Sequence, residues 1–324
     1  MSRLRAILLL LAIAAQLGTL AYMVADKEAI IRHGHTVYLR TLPLDPRDPM
    51  RGDYVRLAYS LNQLYPSRAP GLQGLVPARR GEVVYALLRP VGDGVYELDG
   101  IADRAPESGV FLRGRVQADA VAGEALRVNY GIEQLFVEQG QGIDIEQRQR
   151  GEAGFRRSME VALAVDEQGR AIVTGYRWAP LAISVSPAPE IDGAAATPRL
   201  LVQLKNLADY PLAVVDNAEH CGVVLTVVNR LASSAAAPCG RYLVSREDII
   251  ELAPGAVHRF TIDLAHRRWF VDGGDGLQDV REVAPVSSLR LVYRSPAALQ
   301  EASAEINLWR GELHSAPFSL RGFE

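Results

Sequence analysis

RGDYVRLAYSL, residues 51–61, is the stretch that decides how the first folded part of this chain is built. Its side chains Val55, Leu57 and Tyr59 recur at every second position, which places them on one face of an extended strand. Two Asp-Pro steps, at residues 45–46 and 48–49, precede the stretch and disfavour a helix there. The pattern predicts a turn at Gly52 that leads into a strand, with Leu57 and Tyr59 in the core.

Short runs of alternating apolar and polar residues extend on both sides of this stretch and predict a β-rich domain over residues 30–180. Residues 132–137 are ambiguous between a short helix and a strand. Residues 138–154 are rich in Gln, Glu and Gly and predict a mobile excursion. Strands are predicted at residues 37–42, 53–61, 82–88, 95–101, 110–118, 125–130, 159–165 and 171–176.

A segment rich in Pro and Ala, residues 184–198, interrupts the alternation and predicts a linker. About seven short strands separated by turn residues follow it, which is typical of an immunoglobulin-like β-sandwich over residues 199–324. The predicted fold class is therefore mainly β, with a single apolar segment in front. Strands are predicted in this half at residues 200–206, 212–215, 222–229, 241–244, 257–264, 288–293 and 308–320.

The N-terminus predicts a transmembrane anchor. Residues 1–5 carry two arginines, and residues 6–24 carry no charged side chain. As a helix this run spans about 28 Å, close to the hydrocarbon thickness of a bilayer. The charge bias places residues 1–5 in the cytoplasm and the bulk of the chain across the membrane. A cleaved signal peptide ending near Ala21 is the alternative, but the apolar run continues past that residue, which favours a retained anchor.

Charge and cysteine content limit the function classes. A net charge of −3, with arginines scattered among acids, argues against nucleic-acid binding. The two cysteines, Cys221 and Cys239, predict one disulfide in an oxidising compartment, and two unpaired thiols are the alternative. No Cys or His cluster has the spacing of a metal site, and no nucleotide or dinucleotide fingerprint occurs, so neither a metal nor a cofactor is predicted.

The carboxylates near the motif are the candidate chemical groups. Asp53 lies at the entrance of the predicted strand. Four roles are open for its carboxylate: turn cap, ion-pair partner, ligand contact or catalytic acid. Glu133 and Glu138 lie in a second patch, residues 130–138, that precedes a Gly-rich tract. With Asp53 they would form a carboxylate cluster suited to acid–base chemistry or cation binding. The alternative is a set of solvated acids on a surface loop.

The motif also carries a family resemblance. Gly52, Asp53, Tyr54, Leu57 and Tyr59 match the pattern that gives the GDYXXLXY-domain family its name. The resemblance implies a bacterial, single-pass inner-membrane protein with most of its chain in the periplasm. It further implies a multi-pass inner-membrane protein as partner, because genes of this family travel with such proteins, although the family itself has no established activity.

Three functions follow as hypotheses. The leading one is a non-catalytic accessory or assembly subunit that docks on an integral membrane partner. The first alternative is an envelope hydrolase that uses Asp53 with Glu133 or Glu138. The second is a periplasmic ligand-binding sensor with an exposed aromatic platform built from Trp269, Trp309 or Tyr242.

Overall fold

The structure is a computed structural model. It describes residues 3–42, 54–65, 69–121, 124–138, 141–150, 154–188, 199–227, 244–265, 269–272, 277–283, 287–295, 306–320 and 322–323.

The chain begins with helix α1 (Arg3–His33), which contains the apolar run. Within the described residues, α1 is the one helix long and apolar enough to cross a membrane, and its apolar part is not buried against the rest of the protein. The helix continues past the apolar run through residues 26–32 and ends just before Gly34.

The described part of the N-terminal domain consists mainly of strands and also contains the short helix α2 (Gln141–Arg150). Its strands are β1 (His35–Arg40), β2 (Tyr54–Arg56), β3 (Gln63–Leu64), β4 (Val83–Gly92), β5 (Val95–Ala102), β6 (Val110–Val116), β7 (Leu126–Asn129), β8 (Gln134–Phe136), β9 (Met159–Val165) and β10 (Ala171–Trp178). Eight of them form one sheet in the order β10-β9-β1-β5-β4-β6-β7-β3, in which only the β1–β5 pair is parallel. Strands β2 and β8 pair with each other outside this sheet.

Helix α1 joins this domain without a flexible connection. Gly34 alone separates α1 from β1, and its N–H donates to the carbonyl of Ile30 at 2.9 Å. Ile30 is buried, and Arg170 in the β9–β10 turn forms an ion pair with Asp26 at 2.9 Å. A side chain at Gly34 would stand 2.6 Å from the Ile30 carbonyl oxygen and 3.0 Å from the backbone of Val165. The helix is therefore packed directly onto the sheet.

The second half of the chain is again made of strands. They are β11 (Leu181–Pro187), β12 (Arg199–Asn206), β13 (Leu212–Val215), β14 (Val223–Val227), β15 (Ile249–Leu252), β16 (Val257–Asp263), β17 (Phe270–Asp272), β18 (Leu277–Asp279), β19 (Leu289–Arg294), β20 (Glu312–His314), β21 (Phe318–Ser319) and β22 (Gly322–Phe323). One sheet has the order β11-β12-β16, and another is built around β19, which pairs with β14, β20 and β21. Strands β13 and β15 form a separate pair, as do β17 and β18.

Two large hydrophobic clusters mark two domains. The first contains Leu57, Tyr59 and the inward residues of β1 and β9, and the second lies between the sheets of the C-terminal half. The described chain is mainly β, which confirms the predicted fold class. The immunoglobulin-like type of the second domain stays a prediction.

Three predictions of local structure were wrong. Helix α2 occupies most of the segment predicted to be a mobile excursion, and Ile145 anchors it because this residue is buried in the first core. Residues 184–187, the start of the predicted linker, belong to β11, whose side chains fill the second core. The strand predicted at 53–61 ends at Arg56, because the chain then turns through a 3-10 helix at Ser60–Asn62.

Candidate functional site

The motif strand meets the second patch directly. Strands β2 and β8 are antiparallel, with Tyr54 opposite Phe136 and Arg56 opposite Gln134. Beyond the strand, the N–H of Leu57 donates to the carbonyl of Glu133 at 2.9 Å. The two stretches singled out in the sequence are thus neighbours in space.

Tyr59 lies in the first hydrophobic core. Only 1% of it is exposed, and its hydroxyl donates to the carbonyl of Ile132 at 3.2 Å. Burial, followed by the nearby charge of Glu133, raises the pKa of Tyr59 far above its ordinary value. Tyr59 is therefore held neutral and serves as a hydrogen-bond donor inside the core. Leu57 is buried beside it, as the alternation predicted.

Glu133 ties the loops around Tyr59 together. Its Oε1 accepts from Nδ2 of Asn62 at 2.9 Å and from the N–H of Tyr130 at 2.7 Å. Asn62 in turn accepts from the N–H of Tyr59 at 2.8 Å. One oxygen of Glu133 is thus committed to fixed donors, which suits a structural role better than proton transfer.

Glu138 and Asp53 do not complete a described carboxylate cluster. Oε2 of Glu138 accepts from Nε2 of Gln141 at 3.3 Å, at the start of α2. Gly52 and Asp53 lie outside the described residues, so the roles predicted for them stay predictions. In the part of the chain that the structure describes, no group of three His, Cys, Asp or Glu side chains is arranged to hold a metal ion.

A buried ionic cluster, which the sequence did not reveal, lies where the two domains meet. Glu160 on β9 is 1% exposed, and it faces Arg40 on β1 and Arg177 on β10 across the sheet. Nε of Arg40 donates to Oε1 at 3.1 Å, and Nε of Arg177 donates to Oε2 at 2.7 Å. A buried carboxylate held by two guanidinium groups is costly to desolvate and strongly destabilising to disrupt.

Arg40 extends this cluster into the C-terminal domain. Its guanidinium lies 4.9 Å from the ring centre of Trp309. At Gly311, where φ is +117°, a side chain would overlap with Nη1 of Arg40. The glycine therefore leaves the space into which the arginine inserts. Nη1 of Arg40 is also 3.8 Å from Oε1 of Glu97. Burial raises the pKa of Glu97, although the positive charge of Arg40 acts to lower it.

A cavity of about 410 Å³ opens beside this cluster, between the domains. The N-terminal domain contributes Arg40, Asp93, Glu160, Arg177 and Trp178 to its lining. The C-terminal domain contributes Leu207, Tyr210, Asn307, Trp309 and Arg310. Leu207 and Tyr210 are exposed, so the cavity is connected to solvent.

Comparison with protein-family models gives one match, the GDYXXLXY protein family, over residues 16–175. Residues 16–175 thus match the GDYXXLXY family. The matched range, called the GDYXXLXY domain below, runs from within α1 to β10, and the C-terminal sandwich lies beyond it. Comparisons with curated proteins and with solved structures found no match.

The aromatic platform expected for a sensor is not formed by the two tryptophans beyond the GDYXXLXY domain. Trp269 is 2% exposed and donates its ring N–H to the carbonyl of Asp263 at 2.9 Å. Trp309 is 4% exposed and is therefore also buried, although its side chain lines the interdomain cavity. Tyr242 lies outside the described residues, as does Cys239, so the disulfide between Cys221 and Cys239 stays a prediction.

A second polar cluster, also missed in the sequence, lies within the sandwich. The buried Asp216 accepts from Nδ1 of His220 at 2.9 Å and from Nε2 of His258 at 2.7 Å. Burial alone would raise the pKa of Asp216, but the two histidine hydrogen bonds bring it below its ordinary value. His220 stacks on Phe260 with a ring separation of 4.3 Å. The His-Asp-His cluster links the end of β13 to β16.

Proposed function

We propose that this protein is a single-pass, membrane-anchored accessory subunit that docks on a multi-pass inner-membrane partner and does no chemistry itself. Residues 1–5 lie in the cytoplasm, and both β domains lie in the periplasm. The anchor is retained after export.

The joint between α1 and the GDYXXLXY domain is the observation that carries this proposal. The helix passes from its apolar run into β1 through Gly34 alone, and Ile30 and Asp26 fix it to the sheet. A domain that only has to be attached to the membrane does not require such a joint, because a flexible linker would attach it and would let it move over a larger distance. A rigid joint holds the domain at one height and one orientation above the bilayer, which is what docking on a membrane-embedded partner requires.

The pair formed by β2 and β8, the motif ladder, supplies a surface for docking. Phe136 on β8 is 77% exposed, directly opposite Tyr54 of the motif. Exposed aromatic side chains are enriched at protein interfaces relative to other surface. Because the buried half of the motif fixes this ladder on the core, the ladder presents Phe136 in a defined position.

Co-purification tests the proposal. The tagged full-length protein is extracted from its own bacterium in a mild detergent, and the eluate is analysed by mass spectrometry. We expect a multi-pass membrane protein in a fixed ratio, and we expect Phe136→Ser and Asp53→Ala to reduce that ratio. Val121→Ser is the matched control, since Val121 is also an exposed apolar residue but lies away from the motif ladder.

Elution of the wild type without any multi-pass protein would refute the proposal. Unchanged recovery in both motif variants would remove the motif ladder as the docking surface. The topology is tested separately with reporter fusions. A reporter active only in the periplasm is expected to work at the C-terminus and to fail at the N-terminus.

The hydrolase alternative gains no support from the described residues. Glu133 is held by Asn62 and Tyr130, and Glu138 lies three residues before α2 and accepts from its first residue, Gln141. The sensor alternative is favoured by one observation, the solvent-connected cavity between the domains.

A further inference from the structure

Two carboxylates, one from each domain, lie at the contact between the domains. The chain just before β20 covers a charged patch on the sheet of the GDYXXLXY domain. The ring centre of Trp309 lies 4.9 Å from Cζ of Arg40, and a side chain at Gly311 would lie 3.0 Å from Oε1 of Glu97. The next residue, Glu312, lies near enough for its charge to act on Glu97. These five residues are called the interdomain contact below.

Within its own domain, Glu97 has the partners of a surface ion pair. Its Oε1 is 3.8 Å from Nη1 of Arg40, which Glu160 also engages, and its Oε2 is 3.6 Å from Nη2 of Arg89. Asp99, two residues further along β5, lies 3.7 Å from Nε of the same Arg89 and is 60% exposed. Two positive charges beside a solvated carboxylate favour its ionised form. Without the C-terminal domain over it, Glu97 would therefore keep a pKa at or below the ordinary value for a glutamate.

The C-terminal domain changes these surroundings. The chain at Gly311 excludes water from Glu97, whose side chain is 31% exposed. Burial has the largest effect on the pKa of Glu97 and raises it, whereas Arg40 acts to lower it and the like charge of Glu312 acts to raise it. Arg294 also acts to lower it, but this arginine is engaged by Glu312 at 2.6 Å. The net result is a pKa above the ordinary value.

We propose that Glu97 and Glu312 make the interdomain contact respond to pH. Protonation of Glu97 removes its repulsion of Glu312 and removes a charge that the contact withdraws from water, so the contact tightens in mild acid. Ionisation of Glu97 loosens the contact as the pH rises. This response lies apart from the motif ladder and does not depend on docking to a membrane partner.

The direction of the response follows from the linkage between the proton and the contact. Glu97 has a higher pKa when the contact is closed than when it is open, so the closed state holds more protons between the two pKa values. This range extends above about pH 4.3, the ordinary pKa of a glutamate. A fall in pH through it therefore favours the closed state. Because one proton is involved, the equilibrium between closed and open contact changes by at most about tenfold per pH unit.

Hydroxyl-radical footprinting of the full chain in a neutral detergent tests the proposal. Peptide mass spectrometry measures the oxidation of Trp309, which is 4% exposed at the contact, between about pH 4.5 and pH 7.5. Trp269 is the internal reference, because it is buried in the sandwich core. We expect the oxidation of Trp309 relative to Trp269 to rise with pH in the wild type, by up to about tenfold per pH unit.

Three glutamine variants then identify the titrating group. Glu97→Gln cannot ionise, so Trp309 should stay protected at every pH. Glu312→Gln removes the repulsion and frees Arg294 to attract Glu97, so the rise in oxidation should be smaller than in the wild type. Glu82→Gln is the matched control and should behave as the wild type, because Glu82 is an exposed glutamate of the same domain outside the contact. Circular dichroism checks the fold of each variant.

The proposal is overturned if the oxidation of Trp309 in the wild type does not change with pH or falls as the pH rises, results that need no variant. It is also overturned if Glu97→Gln or Glu312→Gln keeps the full wild-type rise. Another group would then titrate, such as His314, whose Nε2 is 3.7 Å from Oε2 of Glu312. Recovery of a membrane partner is measured at one pH, so failure of this response and failure of the accessory role are distinguishable.

Discussion

The hydroxyl of Tyr59 belongs to the packing of the core, and its removal has a predictable cost. Tyr59→Phe keeps the ring but leaves the buried carbonyl of Ile132 without its donor. We expect a loss of about 1–3 kcal/mol in the free energy of unfolding, the usual cost of an unpaired buried polar group. Urea unfolding of the full chain in detergent measures it.

Tyr176→Phe serves as the control for that measurement, because Tyr176 is an exposed tyrosine of β10. Its effect should stay within about 0.5 kcal/mol. Equal effects of the two changes would show that the Tyr59 hydroxyl is not part of the core network.

The ionisation of Asp216 makes the free energy of unfolding of the sandwich depend on pH. Its pKa in the folded protein is below the ordinary value because, despite burial, it accepts from His220 and His258. The stabilisation from this group is therefore present at neutral pH. It begins to fall below about pH 4, where the unfolded carboxylate takes up its proton, and it is lost as the pH falls through the lower pKa of the folded state. Asp216→Asn removes the charge and with it this contribution.

We expect the wild type to have a larger free energy of unfolding than Asp216→Asn at pH 6, and we expect this difference to be smaller at pH 3. Urea midpoints of both proteins at the two pH values measure it. Asp209→Asn, at an exposed aspartate, should show no such change. A constant gap between wild type and Asp216→Asn across this range would rule out the linkage.

At the scale of elements, two glycine substitutions test the joint between α1 and β1. One glycine lies at the joint, and the other lies within α1 away from it. Gly34→Ala places a methyl group 2.6 Å from the Ile30 carbonyl oxygen, whereas Gly18 has no atom within 4 Å of its side-chain position. We expect overpacking at Gly34 to cost about 1–3 kcal/mol and Gly18→Ala to cause no loss of stability. Trypsin cleavage at Lys27 and Arg32 should be faster in Gly34→Ala only. Wild-type cleavage rates in both variants would contradict a packed joint.

Periodicity predicted the regular elements well and the irregular ones poorly. Strand β9 has the bounds that the alternation gave. Helix α2 was missed because its sequence is polar, and its stability comes from the burial of Ile145 against distant strands. Strand β15 (Ile249–Leu252) was missed as well.

At the scale of the whole molecule, the candidate site could not be predicted from the sequence. Arg40 and Glu160 are 120 residues apart and meet only through the register of β1 with β9. No local pattern marks an arginine that will face a buried glutamate. The motif, in contrast, was visible because its residues are close in sequence, and Leu57 and Tyr59 turned out to be packing residues.

Gly311 offers a test of whether the two domains stabilise each other through Arg40. Gly311→Ala puts a methyl group where Nη1 of Arg40 lies, and at φ +117° the backbone there is also strained. Gly255→Ala shares the strain, with φ +76°, but has open space around the new methyl group. A displaced Arg40 leaves Glu160 buried with Arg177 alone, and breaking a buried ion pair costs about 3 kcal/mol or more.

We therefore expect amide hydrogen exchange in β1 and β9 to quicken by about tenfold or more in Gly311→Ala, although the change lies in the other domain. Gly255→Ala should leave exchange in these two strands unchanged. Equal exchange in the two variants would mean that the N-terminal domain draws no stability from the contact between Arg40 and the sandwich.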